Sequence, residues 1–233
     1  MTYLKADHKL NSQLESAYKG EVMLSKKLTG YLLTIAPILM MAVWIGLWPA
    51  PEGANPTYVE EVAAIQADDL APYVMLLGMG SWITMLIALF FLNRSMNTGG
   101  SVASDLAGLG AMLALLGAAA SAANIGVGIV AADTAFRGSQ ELIAAVNDAG
   151  SYAFPILLGA TGIFTGLAIY LSQSLNRIIG IISTLLGLVM FSSAVISYPE
   201  IADDMDLSDL GFMLFTLTVV IMGILTLRSK DEA

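Results

Sequence analysis

Asn124 is the strongest hydrogen-bonding side chain deep inside an apolar run of this chain, and Ser121 lies about one helical turn before it. An amide at that depth is costly to leave unpaired in hydrocarbon, so it must face a neighbouring helix or a cavity. Two roles are open to the pair: orienting a bound small molecule, or interhelical hydrogen bonding at about 0.6 kcal/mol. Pro37 falls within another apolar run, where it removes the hydrogen bond to the Leu33 carbonyl and can bend the helix around a cavity or around a neighbour. Asp203, Asp204, Asp206 and Asp209 form an oxygen-rich cluster of the kind that hard cations such as calcium prefer. The loop pattern and glycine of an EF-hand are missing, and a solvated acidic face is the competing reading.

Other chemistries are excluded by what is absent. There is no Cys, which removes disulfides, thiolate metal sites and cysteine nucleophiles. The only His is His8, in the polar N-terminal segment, so a haem-ligating or triad histidine within the bilayer is also missing. No Asp, Glu, Lys, Arg or His falls in the middle third of any apolar run, where pumps and proton-coupled transporters place ionisable groups. Thr161, Thr165, Ser183, Thr184, Ser192 and Ser193 have no base to activate them and are expected to bond back to their own helices. The expectation is a non-enzymatic protein without a cofactor.

The elements that carry these residues are membrane spans. Of the 233 residues 57% are hydrophobic and 12% charged, and the mean hydropathy is +0.76. A soluble domain needs roughly a quarter charged residues. The apolar runs are continuous rather than alternating, which argues for helices and against a β-barrel. Six spans are expected, at about 28–48, 72–92, 106–132, 152–171, 177–198 and 210–227. They form one all-α domain, 28–227, between a polar segment, 1–27, and a tail, 228–233. In the N-terminal segment Leu10, Leu14, Ala17 and Tyr18 could share a helical face, which leaves open an interfacial helix or a charged tail. Thr57 stands three residues before Glu60, a capping-box spacing that predicts a short surface helix in the first loop. Leu142, Ile143 and Val146 predict another in the third loop, before Gly150.

Six spans place both termini on one side. That side collects Lys5, Lys9, Lys19, Lys26, Lys27, Arg94, Arg177, Arg228 and Lys230, leaving only Arg137 opposite. By the positive-inside rule both termini are cytoplasmic.

The third span, from Leu106 to Asp133, is rich in Gly and Ala and shows lipid little apolar surface. Gly110, Ala114, Gly117, Ser121, Asn124 and Gly128 recur at steps of 4 and 3, so the smallest side chains share one seam that calls for a helix against it. Gly162 and Gly166 form a GxxxG in the fourth span, the expected partner of that seam. Gly180, Thr184 and Gly187 repeat close-packing spacing in the fifth span.

From Gly162 to Gly187 the sequence reads GIFTGLAIYLSQSLNRIIGIISTLLG. Gly166, Tyr170, Leu171, Arg177, Ile178 and Gly180 resemble a pattern in an uncharacterised prokaryotic family of six-span integral membrane proteins, which carries a Pro where this chain has Asn176. The resemblance implies a helical bundle and no activity. The reading that results is an accessory or structural subunit in the prokaryotic cytoplasmic membrane. Its partners are the lipid bilayer and another membrane protein or a second copy of itself, and not nucleic acid. The alternative is a small-solute or lipid transporter with a site near Asn124, Pro37 and the Gly-rich helices.

Overall fold

The computed structural model describes residues 24–49, 57–132, 140–196 and 207–229. Seven helices account for nearly all of them: α1 (Lys26–Gly46), α2 (Tyr58–Ala67), α3 (Ala71–Met96), α4 (Val102–Ala132), α5 (Gln140–Ser172), α6 (Arg177–Ile196) and α7 (Leu207–Arg228). All but α2 contain a stretch long and apolar enough to cross a membrane, and no strand occurs among the described residues. The protein is an all-helical, six-span membrane bundle.

Local sequence explains most helix ends. At α2 both halves of the expected capping box form: the Glu60 amide donates to Thr57 Oγ1, and the Thr57 amide donates to Glu60 Oε2 at 2.7 Å. Pro72 lies in the first turn of α3, where its missing N–H costs nothing. Between α3 and α4 the chain reverses through Gly99 and Gly100, both at φ near +80°, a conformation that favours glycine. The Ser104 hydroxyl donates to Asn97 Oδ1 and accepts from the Gly99 amide, which ties this turn together. Between α5 and α6, Asn176 Oδ1 accepts from the Ile178 amide at 2.9 Å and caps α6.

Several helix ends lie a few residues outside the expected limits, α4 starting at Val102 and α7 at Leu207, and two departures change the reading of the chain. The second span continues past its expected end at Leu92 to Met96, so Asn93 is part of a helix rather than of the connection that follows it. The surface helix expected in the third loop is not separate, because the chain is helical without a break from Gln140 through Pro155 to Ser172. The 1–23 segment lies outside the described residues.

The spans form a closed ring in sequence order. α1 packs on α3, α3 on α4, α4 on α5, α5 on α6, α6 on α7, and α7 returns to α1. Large side chains fill the centre, among them Leu33, Met85, Leu89, Ile169, Phe215 and Met222, all fully buried. The surface helix α2 lies against α4 and α5. Outward-facing Tyr31, Ile35, Ile45, Met112, Leu185 and Ile196 are left to lipid.

Candidate functional site

Polar groups inside the ring gather at two levels. The first centres on Trp82, on the inner face of α3. Its indole N–H donates to Ser121 Oγ on α4 at 2.6 Å, and the Ser121 hydroxyl donates in turn to the Gly117 carbonyl at 2.7 Å. A serine has one proton to donate, and here Gly117 holds it, so Ser121 has none for a ligand. Around Trp82 the rings of Trp44, Phe154 and Phe212 lie with centroids 5.5–6.3 Å away, and Trp48 packs edge-on against Trp44. These are offset and edge-to-face contacts of a filled core. The Trp44 N–H is buried without an acceptor, above Gly78, where an added Cβ would meet it at 3.0 Å.

The second level centres on Asn93, fully buried near the end of α3. Its Nδ2 donates to the Leu89 carbonyl at 2.9 Å and to Thr165 Oγ1 on α5 at 2.8 Å. The oxygen Oδ1 has no hydrogen-bond partner and points at Gly110 on α4, where an added Cβ would lie 2.6 Å from it. Rotating the amide by half a turn would set Oδ1 against the Leu89 carbonyl, two acceptors face to face, so the orientation is determined. Glycine offers that oxygen only a weak Cα–H donor. Asn93 thus ties α3 to α5 and lies directly on α4. The sequence signal for it is the inward stripe Trp82, Met85, Leu89, Asn93 and Met96, all buried. The neighbouring Arg94 and Asn97 obscured it by giving the segment the look of a turn.

The expected seam of α4 faces inward over its first four positions, Gly110, Ala114, Gly117 and Ser121, which are all buried, whereas Asn124 is partly exposed and the surroundings of Gly128 lie outside what is described. It fits the notch between α3 and α5, with Gly110 beside Asn93 and Thr165, and Gly117 beside Leu86. The GxxxG of the fourth span is not its partner, which corrects the sequence reading. Gly162 and Gly166 face α6: an added Cβ at Gly166 would lie 2.5 Å from the Gly180 carbonyl, and one at Gly162 would lie 3.2 Å from Gly187 Cα. Gly159 completes this face, so the backbones of α5 and α6 touch along Gly159/Gly187 and Gly166/Gly180. The reason is the four-residue connection, 173–176, which holds α5 and α6 as a hairpin and gives the glycines their nearest partner. Arg177 sits over the Tyr170 ring at 5.9 Å across the same hairpin.

Asn124 is partly exposed and makes no side-chain hydrogen bond among the described residues. Pro37 is buried in α1, which packs on α3 and α7, whereas α4 packs on α3 and α5. Asn124 and Pro37 therefore lie on helices that do not neighbour each other in the ring, and Gly162 and Gly166 face α6 instead. Asp209 is exposed in the first turn of α7, and Asp203, Asp204 and Asp206 lie outside the described residues. Thr161, Thr184 and Ser193 bond back to their own helices as expected. Ser183 instead donates to the Gly162 carbonyl on α5, and Thr165 accepts from Asn93. Comparison with family models, curated proteins and solved structures finds no match.

Proposed function

We propose that this chain is a non-enzymatic accessory or structural subunit that associates in the membrane with another membrane protein or a second copy of itself. The observation that carries this reading is the filled interior. Large side chains occupy the centre of the ring, glycine backbones touch along α5 and α6, and Ser121 has its only proton committed to Gly117. Close-packed interiors of this kind are rigid and leave outward faces as the surface on which such a protein acts. By the positive-inside rule the basic ends of α1, α3, α6 and α7 face the cytoplasm of a prokaryotic cell, and α2 with its acids faces outward. Native mass measurement in mild detergent tests the reading. A mass above that of one 24.5 kDa chain plus bound lipid, from a partner or a second copy, is expected. A bare monomer under the mildest extraction overturns it.

A small-solute or lipid transporter is the second reading, and Asn124 favours it as a partly buried amide on α4 with no side-chain hydrogen bond among the described residues. It expects a cavity that reaches Asn124, and Asn124→Leu to abolish uptake in a proteoliposome while the protein stays folded.

A further inference from the structure

The tightest crossing outside the α5–α6 hairpin lies between α1 and α7, near their basic ends. An added Cβ at Gly223 would lie 2.8 Å from the Gly30 carbonyl, and one at Gly30 would lie 2.7 Å from Leu227 Cγ. The two backbones are therefore in contact within a turn of Lys27 and about a turn and a half before Arg228. Lys27, Gly30 and Thr34 follow each other at steps of 3 and 4, so Lys27 sits on the stripe of α1 that meets α7. Arg228 follows Leu227, the residue that touches Gly30, in the last turn of α7. Both cations are exposed, and neither has an ion pair among the described residues. Lys26 adds a third positive charge, and α1 has no acid in its first turn. Two lysines at the positive end of a helix dipole raise the local potential further, so the place is suited to an anion. Directly below the charges, along the bilayer-facing side of α1, Leu28, Tyr31 and Ile35 are exposed and apolar.

We infer that this end of the α1–α7 groove holds the headgroup of an anionic phospholipid, with its phosphate between Lys27 and Arg228 and an acyl chain along Tyr31 and Ile35. Arginine and lysine bind phosphate through charge-assisted hydrogen bonds, and basic pockets between spans on the cytoplasmic side take such headgroups. The apolar strip beneath the cations selects a lipid over a free anion. The site needs no partner protein, so it stands independently of the subunit reading.

The test is native mass spectrometry of the purified full chain after exchange into micelles containing equal phosphatidylglycerol and phosphatidylcholine. Retention of phosphatidylglycerol over phosphatidylcholine by five-fold or more is expected. The double variant Lys27→Gln/Arg228→Gln loses that preference, whereas Arg177→Gln, at the start of the neighbouring helix α6 and over the Tyr170 ring rather than at the α1–α7 crossing, keeps it. Both substituted side chains are exposed, so the thermal midpoint without added lipid is expected to match the parent and reports that the variant is folded. Equal retention of the two lipids, or a preference that survives in the folded double variant, overturns the proposal. Displacement of the lipid by millimolar inorganic phosphate also overturns it, because the site would then be one for free phosphate.

Discussion

Asn93 and Gly110 form the pair on which the interior is most sharply tested. Gly110→Ala places a methyl 2.6 Å from Asn93 Oδ1 and 3.2 Å from Thr165 Oγ1, so one of the helices must shift. Overpacking of this kind costs about 1–3 kcal/mol. In an Asn93→Ala background the obstructing oxygen is gone, and the same Gly110→Ala change is expected to cost well under half as much. Thermal unfolding of the two single variants and the double variant in detergent measures this coupling, and additive effects would contradict the contact. The sequence placed the important intramembrane amide at Asn124, and the structure adds Asn93. Depth within an apolar run is readable along one chain, but a helix that runs four residues further moves a side chain from a turn to a core.

At the scale of single elements, the α5–α6 hairpin and the surface helix α2 behave differently. Gly166→Ala drives a Cβ into the Gly180 carbonyl, which is backbone and cannot swing away. A loss of about 1–3 kcal/mol is expected. Gly80→Ala is the matched control, since nothing lies within 4 Å of its added Cβ, and its thermal midpoint should stay the same or rise. For α2 the readout is pH. The hydrogen bonds from Thr57 hold the Glu60 carboxyl below its ordinary pKa, so folding of α2 is favoured while Glu60 is charged. That support is present above the ordinary carboxylate pKa and is lost as pH falls through the depressed one. Burial pushes Glu61 the other way, so its effect opposes folding at neutral pH and is relieved on acidification. Glu61→Gln is therefore expected to slow amide exchange across Tyr58–Ala67 at neutral pH and to have little effect in acid. Glu60→Gln should speed it at neutral pH.

For the whole molecule, the ring and the charge asymmetry fix which ends share a face. The chain has no Cys, so single cysteines report without background. Asp69 and Thr98 are both exposed, on the α2–α3 connection and in the α3–α4 turn. With α2 outward, a membrane-impermeant maleimide is expected to label Asp69→Cys in intact cells and to label Thr98→Cys only after permeabilisation. The reverse pattern would invert the orientation and move the Lys27–Arg228 groove to the outer leaflet.

The number of spans, their approximate limits, the capping box at Thr57 and Glu60 and the inward seam of α4 were all legible in the sequence, because each depends on periodicity or spacing within one segment. Partner choice was not. A GxxxG marks a face where backbones can approach, yet nothing in it names which helix approaches. The short 173–176 connection brought α6 to Gly162 and Gly166, and the α4 seam went to the notch beside Asn93 and Thr165. Only the closed ring decided that α1 meets α7 at Gly30 and Gly223, through contacts between residues nearly two hundred positions apart in the chain.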